Sequence, residues 1–363
     1  MASICIVLHD LRGGGAEKMM LRLANQMSEM GHQLSFVLVG KGGENSVFLS
    51  ADIAVIELDC ERTLHAFWPL RKAIKRLNPD AILSALTHIN VIAYLTCLSL
   101  GWQKRLSMSE RNTFSRDRSV NNNATMKLAY AIAPFVYRRS VKPIIAVSQG
   151  VKEDLISETN LREQQIAVAP NPVLAKDLYS QLSQPPSHDW LVNKETKVIV
   201  AVGRLAPQKG FDLLLEALSK VNKHVKCRLI IFGEGELRAE LAEQAQKLDL
   251  EKLVSFAGYC SAPMSEVAAA DLFVLSSRFE GSPNVLVEAM ACNTPVLAFD
   301  CPHGPKEILV EQKHLLVAYL DVDELYRKIV SSLEKEHSAE SYKNTVARFD
   351  VKLSTSRYLE LML

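Results

Sequence analysis

Two short segments of this 363-residue sequence carry side chains suited to holding an anion. The first runs Val202-Gly203-Arg204-Leu205-Ala206-Pro207-Gln208-Lys209-Gly210, so that two cations leave a loop bracketed by glycines. A diphosphate is the ligand that most needs such a pair, with the arginine gripping oxygens as a planar fork and the lysine acting as a point charge. Two solvated surface cations are the alternative. The second segment is Ser276-Ser277-Arg278-Phe279-Glu280-Gly281-Ser282-Pro283-Asn284-Val285-Leu286-Val287-Glu288-Ala289-Met290. It reads as a strand end, a glycine loop and a helix with Pro283 in its first turn. Free backbone N–H groups and the positive dipole end at such a helix start favour an anion. Glu280 belongs to the loop; Glu288 lies more than a turn into the helix, where a carboxylate can accept hydrogen bonds from a ribose diol. Near the N-terminus, Gly13-Gly14-Gly15 opens a first helix and lets backbone N–H groups approach a phosphate or sugar closely. It is neither a full G-x-G-x-x-G nor a Walker loop, and a plain turn explains it equally well. Gly233-Glu234-Gly235 is as far from a dinucleotide fingerprint.

The elements that must carry these loops follow a repeating plan. Short runs rich in Ile, Val and Leu alternate with longer segments of helical period, the pattern of parallel sheets with crossover helices. Strands are predicted at 4–8, 34–39, 81–84, 105–108, 144–147 and 166–169, and again at 198–202, 228–232, 253–257, 272–275 and 296–299. The helix near Glu17 puts Met20, Leu23, Ala24 and Met27 on one face and leaves Lys18, Arg22 and Glu29 for water. Each half is therefore expected to be a doubly wound α/β unit whose ligand loops sit at the carboxyl ends of strands. Gln181 to Lys194, with Gln184-Pro185-Pro186-Ser187 and no apolar period, is the expected linker. The predicted division is 1–183, 184–341, and a helical tail 342–363 that must dock on one of the two lobes.

Composition narrows the class. A chain of this length exceeds one ordinary core, and 48% hydrophobic with 23% charged residues excludes disordered or collagen-like sequence. A net charge of +1 gives no reason to expect a nucleic-acid partner. The charge is uneven, with 21 Lys+Arg against 16 Asp+Glu up to residue 180 and 21 against 25 beyond it. The excess centres on 104–142, where Lys104, Arg105, Arg111, Arg116, Arg118, Lys127, Arg138, Arg139 and Lys142 face only Glu110 and Asp117. Leu128, Ala131, Ile132, Phe135 and Val136 form an apolar helix face beside them, which suits either an interfacial anchor on an anionic membrane or a core-facing helix with a solvated basic edge. The seven cysteines lack any C-x-x-C pair and read as buried small hydrophobes of a reducing compartment. Met1 to Leu8 reads as a first strand rather than a signal peptide, and no apolar run approaches the ~20 residues of a membrane span, so a cytoplasmic location is expected. Asp321-Val322-Asp323 reads as the N-cap of a helix rather than a metal motif, and His9, His32, His65, His88 and His303 as isolated residues. Neither a metal nor a cofactor is expected.

Taken together, Gly14-Gly15-Ala16-Glu17, Ser109-Glu110-Arg111-Asn112, Val147-Ser148, Asn171-Pro172, the Gly203 to Gly210 loop, the Glu280 to Glu288 segment and Cys301-Pro302-His303-Gly304-Pro305-Lys306-Glu307 resemble the family-4 glycosyltransferases of the GT-B fold. The resemblance runs over nearly the whole chain. It implies two Rossmann-like lobes facing a cleft: an acceptor lobe over 1–183, a nucleotide-sugar lobe over 184–341, and a 342–363 helix crossing back to the first. By position it implies Arg204 and Lys209 on the diphosphate, Glu288 on the ribose and Glu280 on the donor sugar. It sets Gly14 and Gly15 under the phosphates or sugar, and Gly281, Ser282, Pro283, Asn284, Val285 and Leu286 capping the sugar and phosphate end. Many relatives carry a histidine where this chain has Glu110 or Arg111, so Arg111 is carried as a substrate-binding residue in its place. The string Ser109 to Asn112 resembles the subgroup that extends lipid-linked O-antigen, capsule or N-glycan precursors in bacteria. The implied donor is a nucleoside-diphosphate sugar, UDP favoured, and the implied acceptor a saccharide, lipid-linked.

The resemblance also implies retention of anomeric configuration through a front-face, oxocarbenium-like displacement in which the departing diphosphate helps deprotonate the acceptor. Arg204, Lys209 and the helix start would stabilise charge growing on that leaving group. The route of retaining hydrolases needs paired carboxyls about 5 Å apart, and two glutamates assigned to sugar and ribose do not make such a pair. Two alternatives stand: a catalytically silent GT-B binding protein, and a nicotinamide-dependent oxidoreductase, which the missing third glycine disfavours.

Overall fold

In the first strand, β1 (Ser3–Leu8), Ile4, Ile6 and Leu8 fall on one face and Cys5 and Val7 on the other, all buried. A strand apolar on both faces must be covered by helices on both. The computed structural model of the chain describes residues 1–12, 14–121, 123–335 and 342–363 and shows this arrangement twice. The chain divides into two units, Met1–Val173 with Phe349–Leu363, and Leu174–Arg348.

In the first unit β1 is joined by β2 (Gln33–Leu38), β3 (Ala54–Glu57), β4 (Ala81–Ala85), β5 (Leu106–Glu110), β6 (Ile144–Ala146) and β7 (Ile166–Val168) in a parallel sheet of order β3-β2-β1-β4-β5-β6-β7. Its helices are α1 (Gly15–Glu29), α2 (Phe67–Leu77), α3 (Thr87–Leu100), α4 (Phe114–Val120), α5 (Ala124–Arg138) and α6 (Gln149–Thr159). Met20, Leu23, Ala24 and Met27 of α1 pack with Ile4, Ile6 and Leu8, while α2, α3, α5 and α6 cover the face of Cys5 and Val7. Arg22, assigned to water by the helical pattern, is buried, with a guanidinium nitrogen 3.9 Å from Met19 Sδ.

The second unit opens with α7 (Lys176–Leu182) and α8 (Asp189–Val192). Its parallel sheet comprises β8 (Lys197–Val202), β9 (Cys227–Phe232), β10 (Val254–Gly258), β11 (Leu272–Leu275), β12 (Val296–Phe299) and β13 (Leu316–Val317), in the order β10-β9-β8-β11-β12-β13. The helices α9 (Phe211–Val221), α10 (Arg238–Lys247), α11 (Met264–Ala269), α12 (Asn284–Ala291), α13 (Pro305–Ile308), α14 (Val322–Glu334) and α15 (Lys343–Ala347) follow, and α16 (Val351–Met362) belongs to the first unit.

Three expectations change. Two strands escaped the pattern because neither is a buried apolar run: β3 is a largely exposed edge strand and β13 is two residues long. The units divide at Val173 and Leu174, ahead of the expected 183/184 boundary, and the 181–194 stretch is no loose linker. α7 packs on α11, and the buried Glu266 carboxylate accepts Ser187 N and Oγ at 2.7 Å each and His188 N at 3.3 Å. The 342–363 tail is two helices rather than one. α15 stays with the second unit, and the chain then crosses at Phe349, whose carbonyl accepts Val173 N at 3.0 Å. Asp350 caps α16 by accepting Lys352 N and Leu353 N, and Tyr358 and Met362 lie fully buried against the first unit's core.

Candidate functional site

In the second unit the chain leaves β8 for β9 and β10 on one side of the sheet and returns to β11, β12 and β13 on the other. The crevice at the carboxyl ends of β8 and β11 is therefore the topological switch point, where doubly wound sheets bind ligands. The two anion-suited segments identified from sequence are the loops that follow these two strands. They meet at an ion pair: Lys209 Nζ lies 2.7 Å from Glu280 Oε1, which also accepts Ser277 Oγ at 2.6 Å. Glu280 is only 6% exposed.

The loops are stitched together around this pair. Arg278 N donates to Gln208 O at 2.7 Å, Gln208 Nε2 to Phe279 O at 3.0 Å and Ser276 Oγ to Lys209 O at 2.9 Å. Arg278 also forks onto both carboxylate oxygens of Asp212 at 2.8 and 2.6 Å. Gly210 has φ +61, and a Cβ there would stand 2.1 Å from Ser276 O, so only glycine lets the backbones touch. Gly233, with φ +146, is equally close to Gly203 O, at 1.9 Å from a would-be Cβ, so the Gly233-Glu234-Gly235 segment packs one loop on another. Arg204 is exposed and has no ion pair among the described residues. Glu288 is buried at the fifth position of α12, and Pro283 is the N-cap of that helix rather than part of its first turn. The loop after β12 closes on the same place: Pro302 O accepts Glu280 N at 3.2 Å, and His303 turns through φ +65 next to Gly304.

The first unit places its predicted residues differently. Arg111 is 9% exposed, with Nη1 donating to Tyr358 Oη and Nη2 to Asn171 Oδ1, each at 2.7 Å, so it ties β5 to α16. Glu110 is 3% exposed and accepts Thr87 Oγ1 at 3.0 and 3.1 Å, Asn90 Nδ2 at 3.2 Å and the Tyr137 hydroxyl. Burial pushes its carboxyl up to about 7 against the opposing pull of these three donors. Gly14 is the N-cap of α1 and Gly15 its first residue; Gly13 lies outside the described residues. The Glu17 carboxylate folds back over this helix start, with Oε2 2.0 Å from where a Cβ on Gly14 would be. On α5, Leu128, Ala131 and Phe135 are exposed and Ile132 half-buried, with the Arg139 guanidinium 3.5 Å from the Phe135 ring centre. Val136 faces the core instead, because its neighbours Ala133 and Tyr137 belong to the helix stripe packed on α3. Asp321 caps α14 by accepting Glu324 N at 2.7 Å. No group of three or more metal-ligating side chains occurs among the described residues, and no described helix is long and apolar enough to cross a membrane.

Sequence reasoning missed two contacts. Asp212, which locks Arg278, gave no signal, being an ordinary first-turn acid of α9. His9 and His88, taken as isolated, meet at 5.5 Å between ring centres.

Two family models match the chain: "Glycosyl transferases group 1" over residues 187–348 and "Glycosyltransferase Family 4" over residues 13–175. The chain belongs to the family-4, group-1 glycosyltransferases. An N-acetylgalactosamine-N,N'-diacetylbacillosaminyl-diphospho-undecaprenol 4-alpha-N-acetylgalactosaminyltransferase of Campylobacter jejuni is 26% identical over 95% of this chain and 93% of its own length. An uncharacterized glycosyltransferase of Methanocaldococcus jannaschii is 34% identical over 47% of this chain and 43% of its own length. The crystal structure of Anabaena HepE with UDP and glucose superimposes with a TM-score of 0.79 at 22% identity, covering 99% of each chain. The glycosyltransferase accordingly has the GT-B fold, two Rossmann-like parallel-sheet units.

Because the Glu110 carboxyl is raised by burial, its contribution to stability is full below its unfolded value of 4.5 and is lost as pH rises through about 7. Glu110→Gln mimics the protonated form. Urea denaturation is expected to find the variant and the parent alike near pH 4 and the variant more stable at pH 8.5, with the gap opening between the two; a gap that does not change with pH contradicts the assignment.

Proposed function

We propose that this protein is a retaining glycosyltransferase that moves a hexose or N-acetylhexosamine from a UDP-sugar to a lipid-linked saccharide during synthesis of bacterial surface polysaccharide. The observation that carries the donor half is the 2.7 Å Lys209–Glu280 pair at the switch point of the second unit, on the same loop as Arg204. UDP as carrier is supported by the likeness to HepE with UDP and glucose, and the lipid-linked acceptor by the name of the Campylobacter relative.

In this reading the second unit holds the donor and the first unit the acceptor. Arg204 and Lys209 grip the diphosphate, Glu280 takes the sugar hydroxyls and Glu288 the ribose. The backbone of Gly281 to Leu286 meets the sugar and phosphate end at the start of α12, where the helix dipole adds positive potential. The Gly14–Gly15 turn serves a sugar rather than a phosphate, because the Glu17 carboxylate already lies over that helix start and repels a second anion. Arg111, fully engaged with Tyr358 and Asn171, acts as a positioning residue.

The chemistry follows from charge. As the glycosidic bond breaks, negative charge grows on the leaving diphosphate and positive charge on the sugar ring. Fixed cations at the diphosphate lower the barrier without having to reorganise. The departing diphosphate oxygen takes the acceptor's proton on the face it leaves, so configuration is kept. The site is cytoplasmic in this reading, and the exposed apolar residues of α5, with Arg138 and Arg139 at its end, rest on anionic lipid where the acceptor's carrier is anchored.

A screen of UDP-sugars with a prenyl-diphosphate saccharide acceptor, read by proton NMR of the anomeric signal, is expected to give an α-linked product from an α-linked donor. A β-linked product would overturn retention. Arg204→Ala is expected to lower kcat about 10²–10³-fold with the fold intact; turnover within a few-fold of the parent removes its role. In flotation with vesicles containing phosphatidylglycerol, the parent is expected to float and the double variant Arg138→Glu, Arg139→Glu to stay in solution. Equal flotation of both excludes the membrane contact.

A further inference from the structure

The sheet of the first unit has a switch point of its own. From β1 the chain builds outward through β2 and β3 and then returns to β4 on β1's other side, so the carboxyl ends of β1 and β4 border a crevice of the kind that takes ligands. The loop after β1 has an ion pair of its own, Asp10 with Arg12, but among the described residues no ion pair links it to α3. Two histidines far apart in sequence meet instead. His9 follows β1 directly, and His88 is the second residue of α3, which begins just after β4. Their rings stand edge to face, 5.5 Å between centres.

Each ring has its Nδ1 buried and without a hydrogen-bond partner among the described residues, while both side chains keep partial exposure, 28% for His9. A ring sealed on its Nδ1 side meets a ligand through Nε2. Since no Nδ1 partner fixes the tautomer, Nε2 is able either to donate or to accept. That versatility matches a hydroxyl group, which does both. Burial lowers the pKa of both rings, His88 to about 4 with His9 contributing second, so they are neutral near pH 7. The nearest carboxylate, Asp10, is 3.9 Å from His9 Nε2, too far for a hydrogen bond, and is already bound by Arg12 through N, Nε and Nη2 at 3.0, 2.8 and 2.7 Å.

The surroundings hold the two rings in place. Gly40 N donates to His9 O at 2.7 Å, and Asn45 Nδ2 to Arg12 O at 3.0 Å. Glu110 grips Thr87, the residue before His88, through both carboxylate oxygens. Leu86 turns the chain from β4 into α3 at φ +79, a left-handed conformation that a bulky residue adopts only under constraint.

We propose that His9 and His88 are a pair of neutral hydrogen-bonding residues that binds saccharide hydroxyls at the β1/β4 crevice. The proposal rests on the glycosyltransferase reading, which supplies two saccharides, that of the donor and that of the acceptor; hydroxyl recognition is the chemistry they share. The test is imidazole NMR on the full chain with 15N-labelled histidine, the signals assigned through His9→Gln and His88→Gln. The probes are UDP, UDP-N-acetylglucosamine, and methyl α-N-acetylgalactosaminide added in the presence of UDP. The Nε2 signals of both residues are expected to move with a saccharide and not with UDP alone. Movement with the methyl glycoside assigns the pair to the acceptor; movement only with the UDP-sugar assigns it to the donor. Each Gln variant is expected to weaken saccharide binding about tenfold, the loss of roughly one hydrogen bond, while UDP still raises Tm as in the parent. If UDP raises the parent's Tm but no saccharide moves either imidazole, or if both variants bind saccharide as the parent does, the proposal is overturned. If UDP fails to stabilise the parent, the donor reading falls instead.

Discussion

A carboxylate on one loop and an ammonium on another, 2.7 Å apart and largely out of water, fix the geometry on which the second unit's chemistry depends. A buried pair of this kind adds little net stability, because desolvating two charges costs about as much as their attraction returns. Its effect lies in placement. Glu280 cannot sit 6% exposed without a cation, and Lys209 reaches it only if the loops after β8 and β11 are in contact. That contact in turn demands Gly210 against Ser276 O and the backbone exchanges between Gln208, Arg278 and Phe279. The Arg278–Asp212 fork secures the same junction from the side of α9. The Lys209 ammonium is therefore fixed in place by the contact between the two loops.

The two units use one architecture for different chemistry. Both are doubly wound parallel sheets with a crevice between the central strand and its later neighbour. In the second unit that crevice carries the charged pair; in the first it carries two imidazoles, backed by the neutral or anionic network of Glu110, Thr87, Asn90 and Tyr137. A charged, glycine-rich crevice suits a diphosphate, and a crevice of hydroxyl-matching groups suits a sugar. Arg111, which looks like a ligand-binding cation in the sequence, is consumed by the join between β5 and α16.

Much of this was legible in the sequence because a buried parallel strand leaves an unambiguous apolar run, and eleven of the strands carry one. β3 and β13 do not: an exposed edge and a two-residue pairing bury too little to shape composition. The two loops that meet after β8 and β11 were readable because glycines, cations and a helix start cluster within single segments. The boundary near 184 was misread because Pro185-Pro186 signals a turn but says nothing of Glu266, whose carboxylate fastens that turn to the second unit from far along the chain. For the same reason His9 and His88 passed as isolated residues. Their meeting is a property of strand order, which brings β1 beside β4, and no local spacing encodes it.

The central claim, that Lys209 is a prepositioned diphosphate ligand, is tested most directly by calorimetric titration of UDP and of uridine into the parent and into Lys209→Ala, at one ionic strength and with folding checked by circular dichroism. The account predicts that the parent binds UDP far more tightly than uridine and that the variant, still folded, loses most of that difference. A folded Lys209→Ala protein that binds UDP as tightly as the parent would contradict it.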